Sequence, residues 1–165
     1  MGANFLYSLF LFASASVLVA CASPEEKARD YNNQVVDAVT DASLSIEKFE
    51  SSLVQLKDIQ SSYDDAKKHL QTNAEVLNGL GDYNGDTLLV NPAKRVLQVY
   101  DQLLNHEYNS LRQFHLLPAN EVTFAVTDSC KVLRMFVQNE STFVQQDFEN
   151  AQQSFADRYN LLLGD

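Results

Sequence analysis

The chain has 165 residues, 22 acidic and 12 basic, for a formal net charge of −10. Every charged side chain lies beyond Cys21, so the body of the protein repels polyanions, which argues against nucleic-acid binding. Tryptophan is absent and Gly and Pro number only five and three, a composition that suits helices.

Met1 to Ala20 carries no charged side chain. The apolar run from Phe5 to Ala20 is shorter than the roughly 20 residues a spanning helix needs, and it ends in small residues as a secretory leader does. Leu18-Val19-Ala20-Cys21 resembles a bacterial lipobox, with Leu three residues before Cys and a small residue just before it. The expectation is a lipoprotein signal peptide over residues 1–20 and a mature domain over 21–165 that begins at Cys21, the lipid-attachment residue. The n-region Met1-Gly2-Ala3-Asn4 departs from the pattern, since it lacks Lys and Arg. The alternative is an ordinary secretory peptide cut near Ala20 or Ala22, leaving a soluble product. Myristoylation at Gly2 wants Ser or Thr at position six, where Leu6 stands. Each buried acyl CH₂ contributes about 0.8 kcal/mol, so a multiply acylated Cys21 would not leave the membrane. Ala22 replaces the Asp of inner-membrane retention signals, and Glu25-Glu26 resembles surface-export signals of some bacteria. Both point to the outer membrane. Once Cys21 is lipidated, Cys130 is the remaining thiol; an unmodified Cys21 would allow a Cys21–Cys130 bridge.

Ser23-Pro24-Glu25-Glu26 reads as a helix start, with Ser as N-cap, Pro at the first position and Glu closing a capping box. The stripe Tyr31, Val35, Ala38, Ala42, Phe49, Leu53 and Leu56 predicts an amphipathic helix over about 24–59. A turn is expected over Lys57-Asp58-Ile59-Gln60-Ser61-Ser62, a continuous or kinked helix being the alternative, with Ser61 and Ser62 able to cap a second helix that carries Tyr63, Ala66, Leu70, Ala74 and Leu77 and ends at Asn78-Gly79. Gly81 to Asp86 is the longest irregular stretch. Asn91-Pro92 starts a third helix that stops before Pro118. Asn120 caps the last and longest, over roughly 121–163. Its stripe runs Val122, Val126, Cys130, Leu133, Val137, Val144, Phe148, Ala151, Phe155, Tyr159 and Leu162. The predicted fold is all-α, an up-down four-helix bundle with long first and last helices. In that topology Tyr31 and Val35 lie against Phe155, Tyr159 or Leu162, and the Gly79–Asn91 loop approaches the same end.

Chemistry-bearing patterns are weak. Asp82-Tyr83-Asn84-Gly85-Asp86 spaces oxygen donors like the first half of a calcium loop, but Thr87 and Ala93 stand where Gly and Glu are required. An ordinary turn is the better reading. Asp65 and His69 stand four apart and could share a zinc ion, yet two ligands are not a site, so an exposed ion pair is expected. His106 and His115 do not share a helix face. Cys130 on an apolar stripe is expected to be a buried, inert thiol. The aromatic pairs Phe143 with Phe148, Phe155 with Tyr159 and Tyr100 with Tyr108 read as core. No catalytic residue, metal ligand or cofactor follows from these patterns.

The lipobox, Tyr31-Asn32-Asn33, Val35-Val36, the Gly-Asp loop before Leu88-Leu89, the Tyr100 to Glu107-Tyr108 segment and Gln152 to Asn160 together resemble a family of small, uncharacterised bacterial surface lipoproteins. The resemblance spans the mature chain and implies a helical surface lipoprotein. It supplies no activity, so no functional residue carries over. The resulting expectation is a membrane-anchored, non-enzymatic structural or adaptor module of the cell envelope, bound to the membrane through lipid on Cys21 and to an unknown envelope protein. The alternative is a carrier of an apolar ligand or metal inside the bundle.

Overall fold

The computed structural model describes residues 23–163. The signal peptide and Cys21 lie outside the described residues. The described chain is all-helical, without a strand.

Helix α1 spans Pro24–Gln55. Its start follows the sequence signals: Ser23 Oγ accepts from the Glu26 N–H at 3.1 Å, and the Ser23 N–H donates to Glu26 Oε2 at 2.7 Å. Its end does not. The helix expected to run to 59 stops at Gln55, and Leu56 takes a left-handed conformation with φ 54°. Leu56, expected in the core, is 64% exposed. Asp58 is also left-handed, at φ 55°, so the chain reverses within three residues without Gly or Pro.

Helix α2 spans Ile59–Leu80 and begins before the Ser61-Ser62 pair expected to cap it. Ser62 is buried instead; its hydroxyl lies 2.6 Å from Ser52 Oγ and 2.9 Å from the Asp58 carbonyl. The helix ends on Gly81 at φ 64°, not at Gly79. Asn84 and Gly85 then take φ 54° and 85° between the reciprocal hydrogen bonds of Tyr83 and Asp86 (3.0 and 2.9 Å). This is a two-residue turn of the type that favours Asn-Gly.

The expected third helix is two pieces, α3 over Val90–Asn105 and α4 over Glu107–His115, broken at His106 (φ −115°, ψ −79°). Asn105 and His106 are both poor helix formers. Buried residues continue across the break, from Leu103 and Leu104 to Tyr108 and Leu111. A 3₁₀ turn over Ala119–Glu121 follows. Helix α5 spans Phe124–Tyr159 and is capped by Thr123, not Asn120: the Thr123 side chain accepts from the Val126 N–H at 3.3 Å. Asn160, left-handed at φ 54°, ends it, and Leu161 rather than Leu162 is buried.

Side-chain pairs set the packing. Ser52 meets Ser62, Lys48 meets Asp65, Asp41 meets His69 and Tyr31 meets Gly81, so α1 and α2 run in opposite senses. Tyr63 donates to the Leu104 carbonyl at 3.0 Å, joining α2 to α3. Arg95 pairs with Asp147 and Gln145 donates to Tyr100, joining α3 to α5. Gln145 also reaches Ser43 of α1 at 2.7 Å. The core holds Val35, Ala38, Ala42, Phe49 and Leu53 of α1 against Leu70 and Leu77, Val96 and Leu104, and Val144, Phe148 and Phe155.

The last stripe is only half buried. From Val137 to Phe155 it packs as expected, but Val126, Cys130, Leu133 and Tyr159 are half-buried and Val122 and Leu162 are exposed. Phe143 is exposed too, under the Arg95 guanidinium at 5.8 Å, and is no partner of buried Phe148. Residues five apart on a helix point to different faces.

Tyr31 and Phe155 meet as expected, with ring centroids 5.7 Å apart. Phe155 is fully buried, and truncating a buried Phe typically costs about 3–5 kcal/mol. Phe155→Ala is therefore expected to lower the melting temperature sharply, read by circular dichroism. A loss below about 1 kcal/mol would show that this end does not hold the helices together.

Candidate functional site

The best-built cluster joins the first turns of α1, the 81–86 turn and the end of α5. Tyr31, Tyr83, Phe155 and Tyr159 stack edge to face or tilted, with centroids 4.6–5.7 Å apart. Tyr31 donates to the Gly81 carbonyl at 2.7 Å, and Tyr83 to the Pro24 carbonyl at 3.1 Å. Burial first, then the charges of Asp82 and Asp86, push the Tyr31 hydroxyl up to about 12. Tyr31 therefore stays a donor at any physiological pH. Asp86 ties the loop to α5: its carboxylate accepts from Arg158 at 2.7 Å, from Tyr159 at 3.0 Å and from the Leu88 N–H at 2.8 Å. Asp82 accepts from the Gly85 N–H at 2.8 Å. The Asp-Asn-Gly stretch is thus a turn whose acids face protein donors.

The other titratable groups are paired across helices. His69 does not meet Asp65. Its Nδ1 lies 2.7 Å from Asp41 of α1, which also accepts from Asn73 at 2.6 Å, and Asp65 pairs with Lys48 at 3.0 Å. The hydrogen bonds from His69 and Asn73 hold the Asp41 carboxyl below its ordinary range. The Tyr108 hydroxyl donates to Glu50, and burial followed by the Glu50 charge pushes its pKa far upward. Tyr108 packs on Phe49, centroids 5.5 Å apart, rather than on Tyr100. Cys130 is half-buried rather than buried, and burial raises its thiol pKa. Among the described residues, no group of three His, Cys, Asp or Glu converges as metal ligands would.

The end remote from residue 23 is different in kind. Val54, Leu56, Leu116, Val122 and Phe124 are exposed around the α1–α2 turn and the start of α5, Phe124 to 85%. Val132, Met135 and Phe136 are exposed further along α5. They form a second stripe, turned away from the buried one. A large exposed apolar surface marks a contact site more often than chance exposure.

A groove of about 800 Å³ lies between α2 and α3. Compared with family models, curated proteins and solved structures, the chain matches none.

The Asp86 cluster makes a prediction. Burial would raise the Asp86 pKa, but the Leu88 N–H, Arg158 and Tyr159 outweigh it and hold the pKa below the ordinary value. A group depressed in the folded state stabilises above its unfolded pKa, about 3.9, and loses that contribution as pH falls through the folded pKa. Asp86→Asn is expected to cost about 1.5–3 kcal/mol at pH 7, with the gap to wild type closing below pH ~4. A gap that stays constant from pH 7 to pH 3 would contradict this.

Proposed function

We propose that the chain is a lipid-anchored lipoprotein of the bacterial envelope, held in the outer membrane through Cys21, and that its helical body is a non-enzymatic adaptor. The helices are read as an up-down four-helix bundle in which α3 and α4 together form the third arm. The opposite senses of the α1–α2 pairs, and the contacts of α5 with both α1 and α3, support that arrangement. The capping box at Ser23 leaves only Ala22 and Ser23 between the lipidated Cys and the helix. The body therefore stands directly on the bilayer, with the aromatic cluster lowest. Helix α1 has 32 residues and so carries the opposite end roughly 48 Å outward.

The observation that carries the adaptor reading is the apolar surface at that outer end, from Leu56 and Leu116 to Phe124 and Phe136. An anchored protein needs no membrane-binding surface of its own, so apolar residues held away from the bilayer fit a protein partner.

Labelled palmitate is expected to enter wild type and not Cys21→Ser, which should move to the soluble fraction. In cross-linked envelopes, Phe124→Glu combined with Phe136→Glu should lose the captured partner while staying membrane-bound. A Cys21→Ser protein that resists salt and carbonate washes would overturn the anchor. Unchanged capture by the double variant would overturn the outer end as the contact surface.

A further inference from the structure

Lys67, Lys68, Leu70, Gln71, Ala74 and Asn78 of α2 line the groove from one side, and Lys94, Leu97, Gln98 and Asp101 of α3 from the other. Three of the chain's few lysines thus stand on one groove of a protein whose net charge is −10. Among the described residues, none of the three makes an ion pair; the carboxylates elsewhere go to Arg29, Lys48, Lys57, His69, Arg95 and Arg158. Lys67 is steered by uncharged groups: it donates to Asn105 at 2.9 Å and lies 5.6 Å from the Tyr63 ring centroid. Against three lysines the groove sets one carboxylate, Asp101.

The lysines are not clustered. Helix α1 opposes both α2 and α5, and α3 opposes α5, so α2 and α3 run in opposite senses, with Tyr63 level with Leu104. Lys94 therefore lies at the Ala74–Asn78 end, and Lys67 and Lys68 lie at the Asp101 end. With a rise of 1.5 Å per residue, the two basic ends are roughly 10 Å apart, two helical turns. Between them run Leu70, Ala74 and Leu97. Leu70 and Leu97 are already buried to within a few per cent, so the floor is shallow, and Lys67, Lys68, Gln71 and Gln98 on the walls are exposed. A drug-sized ligand prefers a site that encloses most of its surface. A helix laid in a groove uses a long, shallow floor and anchors at i, i+3, i+4 and i+7.

We propose that the α2–α3 groove docks an acidic amphipathic helix of an envelope partner. Its acids sit seven residues apart, one at the Lys67–Lys68 end and one at Lys94, and its apolar residues at i+3 and i+4 lie over half-buried Ala74 and the aliphatic stems of the flanking lysines. Carboxylates seven apart on a helix span the same roughly 10 Å as the two basic ends. The surface is separate from the outer apolar end, and its binding does not depend on lipid at Cys21.

The test uses the purified full chain in a zwitterionic detergent and fluorescence anisotropy of a labelled helical peptide with Glu at i and i+7 and Leu at i+3 and i+4. The peptide should bind, and Lys67→Glu, Lys68→Glu and Lys94→Glu together should weaken it at least roughly tenfold, about 1.4 kcal/mol. Gln98→Trp, which fills the groove without touching charge, should weaken it comparably. Circular dichroism of both variants checks that the fold is intact. Binding that survives in both variants overturns the site. Equal binding of a scrambled peptide of the same composition also overturns it, because attraction without register is not helix docking. An anionic bilayer is the rival occupant. If added phosphatidylglycerol, without peptide, shields Lys67, Lys68 and Lys94 from an amine-reactive reagent, the groove faces lipid and the proposal fails.

Discussion

Four rings and one carboxylate hold the start of the first helix to the end of the last. Tyr31, Tyr83, Phe155 and Tyr159 come from α1, the 81–86 turn and α5, and Asp86 fastens that turn to Arg158 and Tyr159. Their sequence separation is large, so each contact closes a long loop whose entropy must be offset. Phe155 is fully buried and Asp86 nearly so, which makes these contacts strong enough to do it. Away from this cluster it is α5 alone that loosens, while Phe49, Leu53, Tyr108 and Leu111 stay buried. Toward the first turns of α5 the burial fades from Val137 to half-buried Leu133, Cys130 and Val126, and apolar side chains turn outward. The core runs to both ends, and the far end adds exposed apolar side chains of α5 and the α1–α2 turn.

Much of this was legible in the residues. The Ser23–Glu26 capping box, the α1 stripe and the meeting of Tyr31 with Phe155 follow from helical periodicity and short connections. What failed did so for physical reasons. The turn expected over 57–62 is present, but α1 stops at Gln55 because the turn opens at Leu56, a left-handed residue whose side chain carries no turn signal. Thr123 and not Asn120 caps α5, because a 3₁₀ turn intervenes. The break at His106 has no Pro or Gly to mark it. Periodicity also shows that a face is apolar without saying whether anything covers it. Val122 and Val126 sit on the same stripe as Phe148, yet Val122 is exposed and Val126 only half-buried. The second stripe, Val132, Met135, Phe136 and Phe143, was readable at helical spacing and is the signal that α5 has two apolar faces. The lysine groove was not readable, because Lys67, Lys68 and Lys94 come together only through the pairing of α2 with α3.

The polar groups of the body are spent on structure. Asp41, Glu50, Asp86 and His69 each meet a partner on another helix or loop, and Cys130 carries a thiol whose pKa is raised by burial. Such groups hold elements in register. Two surfaces remain with unused recognition chemistry: the apolar outer end and the lysine-bearing groove. They differ in the partner proposed for each, a dry apolar contact for one and an acidic helix for the other. A lipid on Cys21 would present both away from the bilayer, since only two residues separate Cys21 from the helix.

The orientation of the body on its anchor is the central claim. Single-cysteine probes at Asn84, beside the aromatic cluster, and at Leu116, at the outer end, can be read in vesicles doped with a headgroup quencher, with Cys130 replaced by Ser. The account predicts strong quenching at Asn84 and almost none at Leu116. Equal quenching, or stronger quenching at Leu116, would contradict it.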